Sequence, residues 1–485
     1  MTSKATKSAH GTELDPTTVT ALTLQRMEMP GLSELSENSS IHSSSKQSDT
    51  SQSDTSTLRY DQEAYDLFRI RVEKLCQVLW PPPKSIRQSL LDSKAATRMR
   101  ANKFFRLFVP SQDTLRIERL RGGDYNRIVG IRLPVSKSEV GRNRDLILRV
   151  PRRWGRGRTE RVVAILSFLH HNSAISVPSV VAKDFSNDNP LESPYLIQDR
   201  LAGSDLGILW PDLNHSQRCT IAREVGRVLK SLLALESPVT GYIEAAFKSK
   251  GTVESHIVMP FDLRSADGDL FEEPEEHCLP ITGTPRQNQT TLDLFKCQIG
   301  RWRAVDVARN AGMVDRTLGL WDEMLKIAEE MNTLGFFTAK LHCLCHVDLY
   351  PRNIMARILP QGSIEVTGVL DWDEAVIAPK FMSCEPPGWL WGFDPDDPVP
   401  NNLPTWPYER PGANDMPSTL EKQGLKQIFE EHVGPEYLGL AYGEQFRMSR
   451  TLFRVALFGL TSSENYDAAD QIISDWARFR QSLTK

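Results

Sequence analysis

Apolar positions change period twice along this chain. From about Tyr60 to Trp80, Leu67, Ile70, Val72, Leu75 and Leu79 recur at broadly helical spacing. The prolines of "PPPK" at 81–84 end that helix, because proline removes a donor and blocks continuation. From about 103 to 200 the pattern becomes strand-like, with "TLRIERL", "RIVGIRL", "LILRV" and "YLIQDRL" as extended segments. One helix, "TERVVAILSFLHH", falls between the last two. From about 215 the spacing turns helical again in "HSQRCTIAREVGRVLKSLLAL", "TLDLFKCQIGRWRAVDVARNAG" and "RTLGLWDEMLKIAEEMNTL".

Two strands, "KLHCLCH" and "IEVTGVLDW", interrupt the helical part, and three helices are predicted to finish the chain. A polar stretch at 250–290 reads as an exposed insertion, and 385–418 as an irregular, Pro-rich region. Residues 1–57 are rich in Ser and Thr, with too little apolar surface to offset their ordering entropy, and read as a disordered tail. The predicted organisation is therefore a tail at 1–57, a helix and strand-rich unit at 58–200, and a mostly helical unit at 201–485. Patterning alone makes this an α+β protein.

The 485 residues include 40% hydrophobic and 25% charged, enough for a sizeable core. A net charge of −4 is too small to demand nucleic acid or an acidic membrane as partner. The arginine-rich stretch at 142–161 contains acidic residues and reads as a solvated face beside a phosphate site rather than a nucleic-acid surface. Seven scattered cysteines suit neither a disulfide framework nor a zinc ribbon, and are expected to be reduced thiols. With no signal peptide and no apolar run near the ~20 residues of a membrane helix, the expectation is a soluble, cytoplasmic protein without a membrane partner.

The chemistry concentrates after "KLHCLCH". There His346 precedes Asp348 by two residues, and Asn353 follows Asp348 by five. Phosphoryl transfer needs a carboxylate to take the proton of the attacking hydroxyl, and oxygen ligands to hold magnesium against phosphates. The catalytic loop of protein kinases spaces its Asp and Asn in this way. Asp348 is thus the candidate base and Asn353 a candidate metal ligand. Asp371, at the end of the next apolar strand, supplies the second oxygen ligand that a hard Mg²⁺ ion prefers. Asp373 either supports the same site or solvates the loop.

"HVDLYPRNIM" with "GVLDWDEAVIAP" resembles the aminoglycoside phosphotransferase family, and "EPPGWLW" is similar to its fungal branch. The specific part covers about 340–392, with weaker likeness from about 115 to the C-terminus. The resemblance implies a bilobal protein-kinase-like fold, with a small strand-rich N-lobe and a larger, mostly helical C-lobe. It implies ATP or GTP with Mg²⁺, and transfer of the γ-phosphoryl group to a hydroxyl on a small molecule. Gly122 and Gly123 would sit in a loop whose N–H groups approach phosphate. Arg149, on the opposite face of its strand from Leu146, Leu148 and Val150, would clamp phosphate, with Glu160 as its acidic partner. The backbone near Gln198 to Arg200 would meet the purine.

This chain departs from the family at three points. In the loop Val347 stands where glycine is usual and Tyr350 where histidine is frequent; Arg149 replaces lysine; and the usual acid shortly after the Asp-Trp segment is missing. The alternative is a catalytically silent, kinase-like binding or scaffold protein.

Overall fold

The computed structural model describes residues 63–81, 115–120, 126–133, 144–152, 158–247, 253–263, 289–309, 314–391, 408–409, 411–412 and 414–484. The predicted tail at 1–57 lies outside the described residues. Helix α1 spans Tyr65–Leu79. Strands β1 (Arg116–Arg119), β2 (Asn126–Leu133) and β3 (Arg144–Pro151) follow, then helix α2 (Arg158–Asn172), β4 (Val180–Asp184) and β5 (Tyr195–Asp199). The five strands form an antiparallel sheet in the order β1-β2-β3-β5-β4.

The alternation of β3 decides which face is covered. Leu146, Leu148 and Val150 are buried against Phe68, Val72, Leu75 and Cys76 of α1, together with Val129, Ile131 and Ile197. Two residues expected on that face are not there, since Leu67 and Ile70 are 58% and 46% exposed. A straight helix presents one stripe, and the stripe that includes Phe68 and Val72 turns those two outward. Helix α2 belongs instead to a larger core, continuous with the helical part of the chain.

That part runs on through β6 (Ser204–Asp205), helix α3 (His215–Leu233), β7 (Glu236–Ser237), and strands β8 (Tyr242–Phe247) and β9 (Val253–Met259). Helix α3 begins with a capping box between Asn214 and Gln217. The β8–β9 hairpin corrects the expectation that 250–290 is wholly an exposed insertion. It packs on α2, Phe261 and Leu263 just beyond it are buried, and residues 264–288 lie outside the described part. Arg161 of α2 pairs with Asp262 at 3.0 Å and Glu244 at 3.3 Å, with its guanidinium 4.0 Å from the Tyr242 ring centroid.

Helices α4 (Thr291–Arg309) and α5 (Val314–Thr333) lead to strands β10 (His342–Cys345), β11 (Ile354–Ile358), β12 (Ile364–Val369) and β13 (Val376–Pro379). These form two small sheets, β13-β10-β7 and β12-β11-β6. Among the described residues four α-helices follow, not the three predicted: α6 (Leu420–Val433), α7 (Pro435–Tyr442), α8 (Glu444–Phe458) and α9 (Ser463–Leu483). Gly434 and Pro435 break what reads as one helical segment, with Gly434 at φ +94° closing α6.

Helix α8 carries arginines into the core. Arg450 is fully buried, donating to both Glu409 carboxylate oxygens at 2.5 and 2.7 Å and to the Leu440 and Ala441 carbonyls. Arg447 meets Asp475 at 2.6 Å, and Arg454 pairs with Glu385. A strand-rich lobe and a larger helical one thus give the bilobal, kinase-like α+β fold. Among the described residues no helix is long and apolar enough to cross a membrane.

Candidate active site

Every residue of β10 is buried in a ladder with β13 on one side and β7 on the other. Its end therefore delivers the following loop to a fixed place. His346 is 2% exposed. Its Nε2 lies 2.8 Å from the Leu370 carbonyl oxygen, and its Nδ1 accepts from the Asp348 N–H at 3.3 Å. A carbonyl can only accept, so Nε2 carries the proton and the ring is the neutral tautomer. Burial holds its pKa below the ordinary histidine value, in keeping with that state. The ring rests on Trp372 with centroids 4.4 Å apart.

The chain then turns through Val347, at φ +69°. A β-branched residue pays steric strain there that glycine would not. Pro351 starts a single 3₁₀ turn to Asn353. From it, the Asn353 side-chain N–H₂ donates to both the backbone carbonyl and the carboxylate Oδ2 of Asp348, each at 2.8 Å. Arg352 donates to the other carboxylate oxygen at 2.6 Å. Two donors thus orient Asp348, while about a third of its side chain stays accessible (32%).

Asp371 arrives from the other direction. The Leu370 N–H donates to the Asn353 carbonyl at 2.8 Å, so the end of β12 is tied to the same turn. Asp371 takes φ +61°, which aspartate tolerates better than most residues. Its pKa is pushed up to about 6, first by desolvation and then by the charge of Asp373, against the opposing pull of Arg149. Desolvation acts even though 48% of the side-chain surface is accessible, as at the floor of a cleft rather than on a convex face.

Arg149 sits on the face of the sheet opposite α1 and is 12% exposed. Its Nη2 lies 2.6 and 2.8 Å from the two oxygens of Asp373, and 3.7 Å from Asp371 Oδ1. Asn126 of β2 donates to the same Asp373 carboxylate at 2.8 Å. Glu160 lies exposed in the first turn of α2, and among the described residues it makes no ion pair with Arg149. The acid that meets Arg149 therefore comes from the helical lobe and not from α2. Gly122 and Gly123 lie outside the described residues. At the strand joining the lobes, the Asp199 and Arg200 N–H groups already donate to the Ser179 and Asp145 carbonyls. A purine would need other groups there than these two N–H donors. Gln198 is 4% exposed, and its Oε1 has no partner among the described residues.

The structure brings Asp348, Asn353, Asp371 and Arg149 close together. Reading along the chain missed Asp373 as the partner of Arg149, and Asn126 altogether. The Asp-x-Asp spacing hinted at the first; nothing local marked the second.

The sequence profile of the phosphotransferase enzyme family matches residues 136–381, just over half of the chain. The chain belongs to that family. A subtelomeric hrmA-associated cluster protein of Aspergillus fumigatus is 20% identical over 391 residues, covering 71% of this chain and 73% of its own. Among solved structures, the chain is similar to aminoglycoside phosphotransferase APH(4)-Ia at 17% identity, covering 80% of this chain and 99% of that one, with a TM-score of 0.39. A thermostable mutant of that enzyme, in ternary complex with ADP and hygromycin B, is 17% identical over 79% of this chain and 98% of its own, at a TM-score of 0.39. Plasmodium vivax ethanolamine kinase is 12% identical over 77% of this chain and 85% of its own, also at 0.39. Membership in the family rests on the profile match.

Proposed function

We propose that this phosphotransferase moves the γ-phosphoryl group of ATP or GTP to a hydroxyl of a small molecule, with Asp348 as the base. One observation carries the reading: Asp348 is held from both sides by Asn353 and Arg352, in a loop tied through His346 to the strand end bearing Asp371. Asp348 accepts the proton of the acceptor hydroxyl as its oxygen bonds to the γ-phosphorus. The bond from that phosphorus to the bridging oxygen breaks, and the nucleoside diphosphate leaves with the electron pair. The proton on Asp348 then passes to water.

Among the described residues no three His, Cys, Asp or Glu side chains are grouped to hold a metal ion. An Mg²⁺ ion does not need such a cage, since it keeps waters and takes phosphate oxygens. Asn353 spends its amide N–H₂ on Asp348, which leaves Oδ1 as an oxygen ligand beside the Asp371 carboxylate. The crowding of Asp371 by Asp373, Asp348 and Glu374 is what a divalent cation relieves. When bound there, Mg²⁺ would neutralise the phosphate charge. Arg149 would add its guanidinium to the same phosphates.

The second reading, a catalytically silent binding protein, is favoured by the engagement of Arg149 with Asp373. The test is melting of the full chain with Mg-ATP or Mg-GTP, followed by release of nucleoside diphosphate across a panel of hydroxylated metabolites. The expected result is stabilisation by one nucleotide and acceptor-dependent turnover. Asp348→Asn should keep the stabilisation and lose at least about a hundredfold in turnover. Stabilisation without turnover on any acceptor favours the silent protein. Undiminished turnover in Asp348→Asn removes Asp348 as the base.

A further inference from the structure

We infer that Asp373, held by Asn126, is the residue that positions Arg149 for phosphate, in the place that Glu160 was expected to fill; this rests on the cleft being the nucleotide site. Both oxygens of Asp373 converge on one nitrogen of Arg149, Nη2. Among the described residues Nε and Nη1 make no hydrogen bond, and neither is wholly buried, although the side chain as a whole is only 12% exposed. The guanidinium is thereby divided: one nitrogen anchors it to the protein and the others stay available to a ligand. Lysine carries a single nitrogen, which would have to serve Asp373 and phosphate together. Arginine at 149 and Asp373 thus form one arrangement.

Asn126 fixes the other half of the pair. Ile128 is the residue opposite Arg149 in the β2–β3 ladder, and Asn126, two residues along β2, shares its face. Its Nδ2 holds Asp373 Oδ2 at 2.8 Å, so the carboxylate is gripped by two neighbouring strands of the N-lobe sheet. Asp373 is 9% exposed, and Arg149 Nη2 also lies 3.7 Å from Asp371. The same nitrogen therefore stands between the anchoring acid and the candidate metal ligand. Glu160 offers none of this.

The experiment is calorimetric affinity of the full chain for Mg-ADP. Losing a charge-assisted partner should weaken binding about tenfold in Asp373→Asn, and about threefold in Asn126→Ala. Glu160→Gln should bind within about twofold of the native chain, as for an exposed residue without this contact. Two residues acting through one another give non-additive losses, so Arg149→Lys with Asp373→Asn should bind no more weakly than the worse single variant. A merely structural role for Asp373 would multiply the two losses, and that result overturns the proposal. So does Asp373→Asn binding like the native chain, or Glu160→Gln losing as much as Asp373→Asn. Should Asp373→Asn fail to fold, Asn126→Ala decides alone: native affinity there overturns the proposal. A native chain without any affinity for either nucleotide overturns the phosphotransferase reading first, and this one with it.

Discussion

His346 Nε2 donates to the backbone carbonyl of Leu370 at 2.8 Å, which with the Leu370 N–H to Asn353 carbonyl bond ties the loop bearing Asp348 to the strand end bearing Asp371. The ring is held neutral because its Nδ1 accepts from the Asp348 N–H, and that has a consequence for pH. Burial depresses the folded pKa of His346, and of His342 four residues earlier, below the ordinary value of 6.5. Above that value both folded and unfolded states are neutral. Below it the unfolded chain takes protons that the folded chain refuses, so stability falls as pH drops from 6.5 through the depressed values. Each histidine contributes a slope of at most about 1.4 kcal/mol per pH unit. His346→Phe keeps a ring against Trp372 and should cost about 1–3 kcal/mol at pH 7 through the lost hydrogen bonds. It should also lower the slope between pH 6.5 and 5, measured by urea unfolding. An unchanged slope would show that His346 is not the titrating group.

Val347 holds a left-handed conformation that costs a non-glycine residue about 1–2 kcal/mol. Val347→Ala removes packing and keeps most of that strain, whereas Val347→Gly removes both. Glycine, though the larger truncation, should therefore be the less destabilising of the two in urea unfolding. The ordinary order, with alanine the milder change, would mean the strain is not felt.

Divalent cation should matter for nucleotide binding through Asp371. At a nucleotide concentration near 100 times Kd the native chain gains about 2.7 kcal/mol of stability. Chelating Mg²⁺ should remove most of that gain. In Asp371→Asn the small remaining gain should be the same with and without Mg²⁺, as read by thermal melting. A native-like Mg²⁺ dependence in that variant would place the metal elsewhere.

Arg450 and Glu409 form a buried pair, and removing Arg450 leaves the Glu409 carboxylate with only the longer contact to Arg454 at 3.7 Å. Arg450→Met should cost about 3–5 kcal/mol in urea unfolding, and adding Glu409→Gln should recover a large part. Equal stability of the single and double variants would show that the stranded carboxylate is not the source of the loss.

The sequence alone determined the parts whose geometry is local. Asp348 and Asn353 are five residues apart in one short loop that ends in the turn begun by Pro351, so the amide meets the carboxylate locally. Asp371 closes an apolar strand, and strand ends deliver side chains to a shared edge. The alternation of β3 likewise told that Arg149 faces away from Leu146 and Leu148. Tertiary structure alone decided which acid meets that arginine. Asp373 lies 224 residues from Arg149, Glu160 only a helix entry away, and ion pairs form through space by reach and burial, not by nearness in the chain. The same holds for the stripe of α1 that is buried, for the β8–β9 hairpin within a polar stretch, and for the three arginines of α8. Each depends on what an element packs against, and the spacing of residues within that element does not carry it.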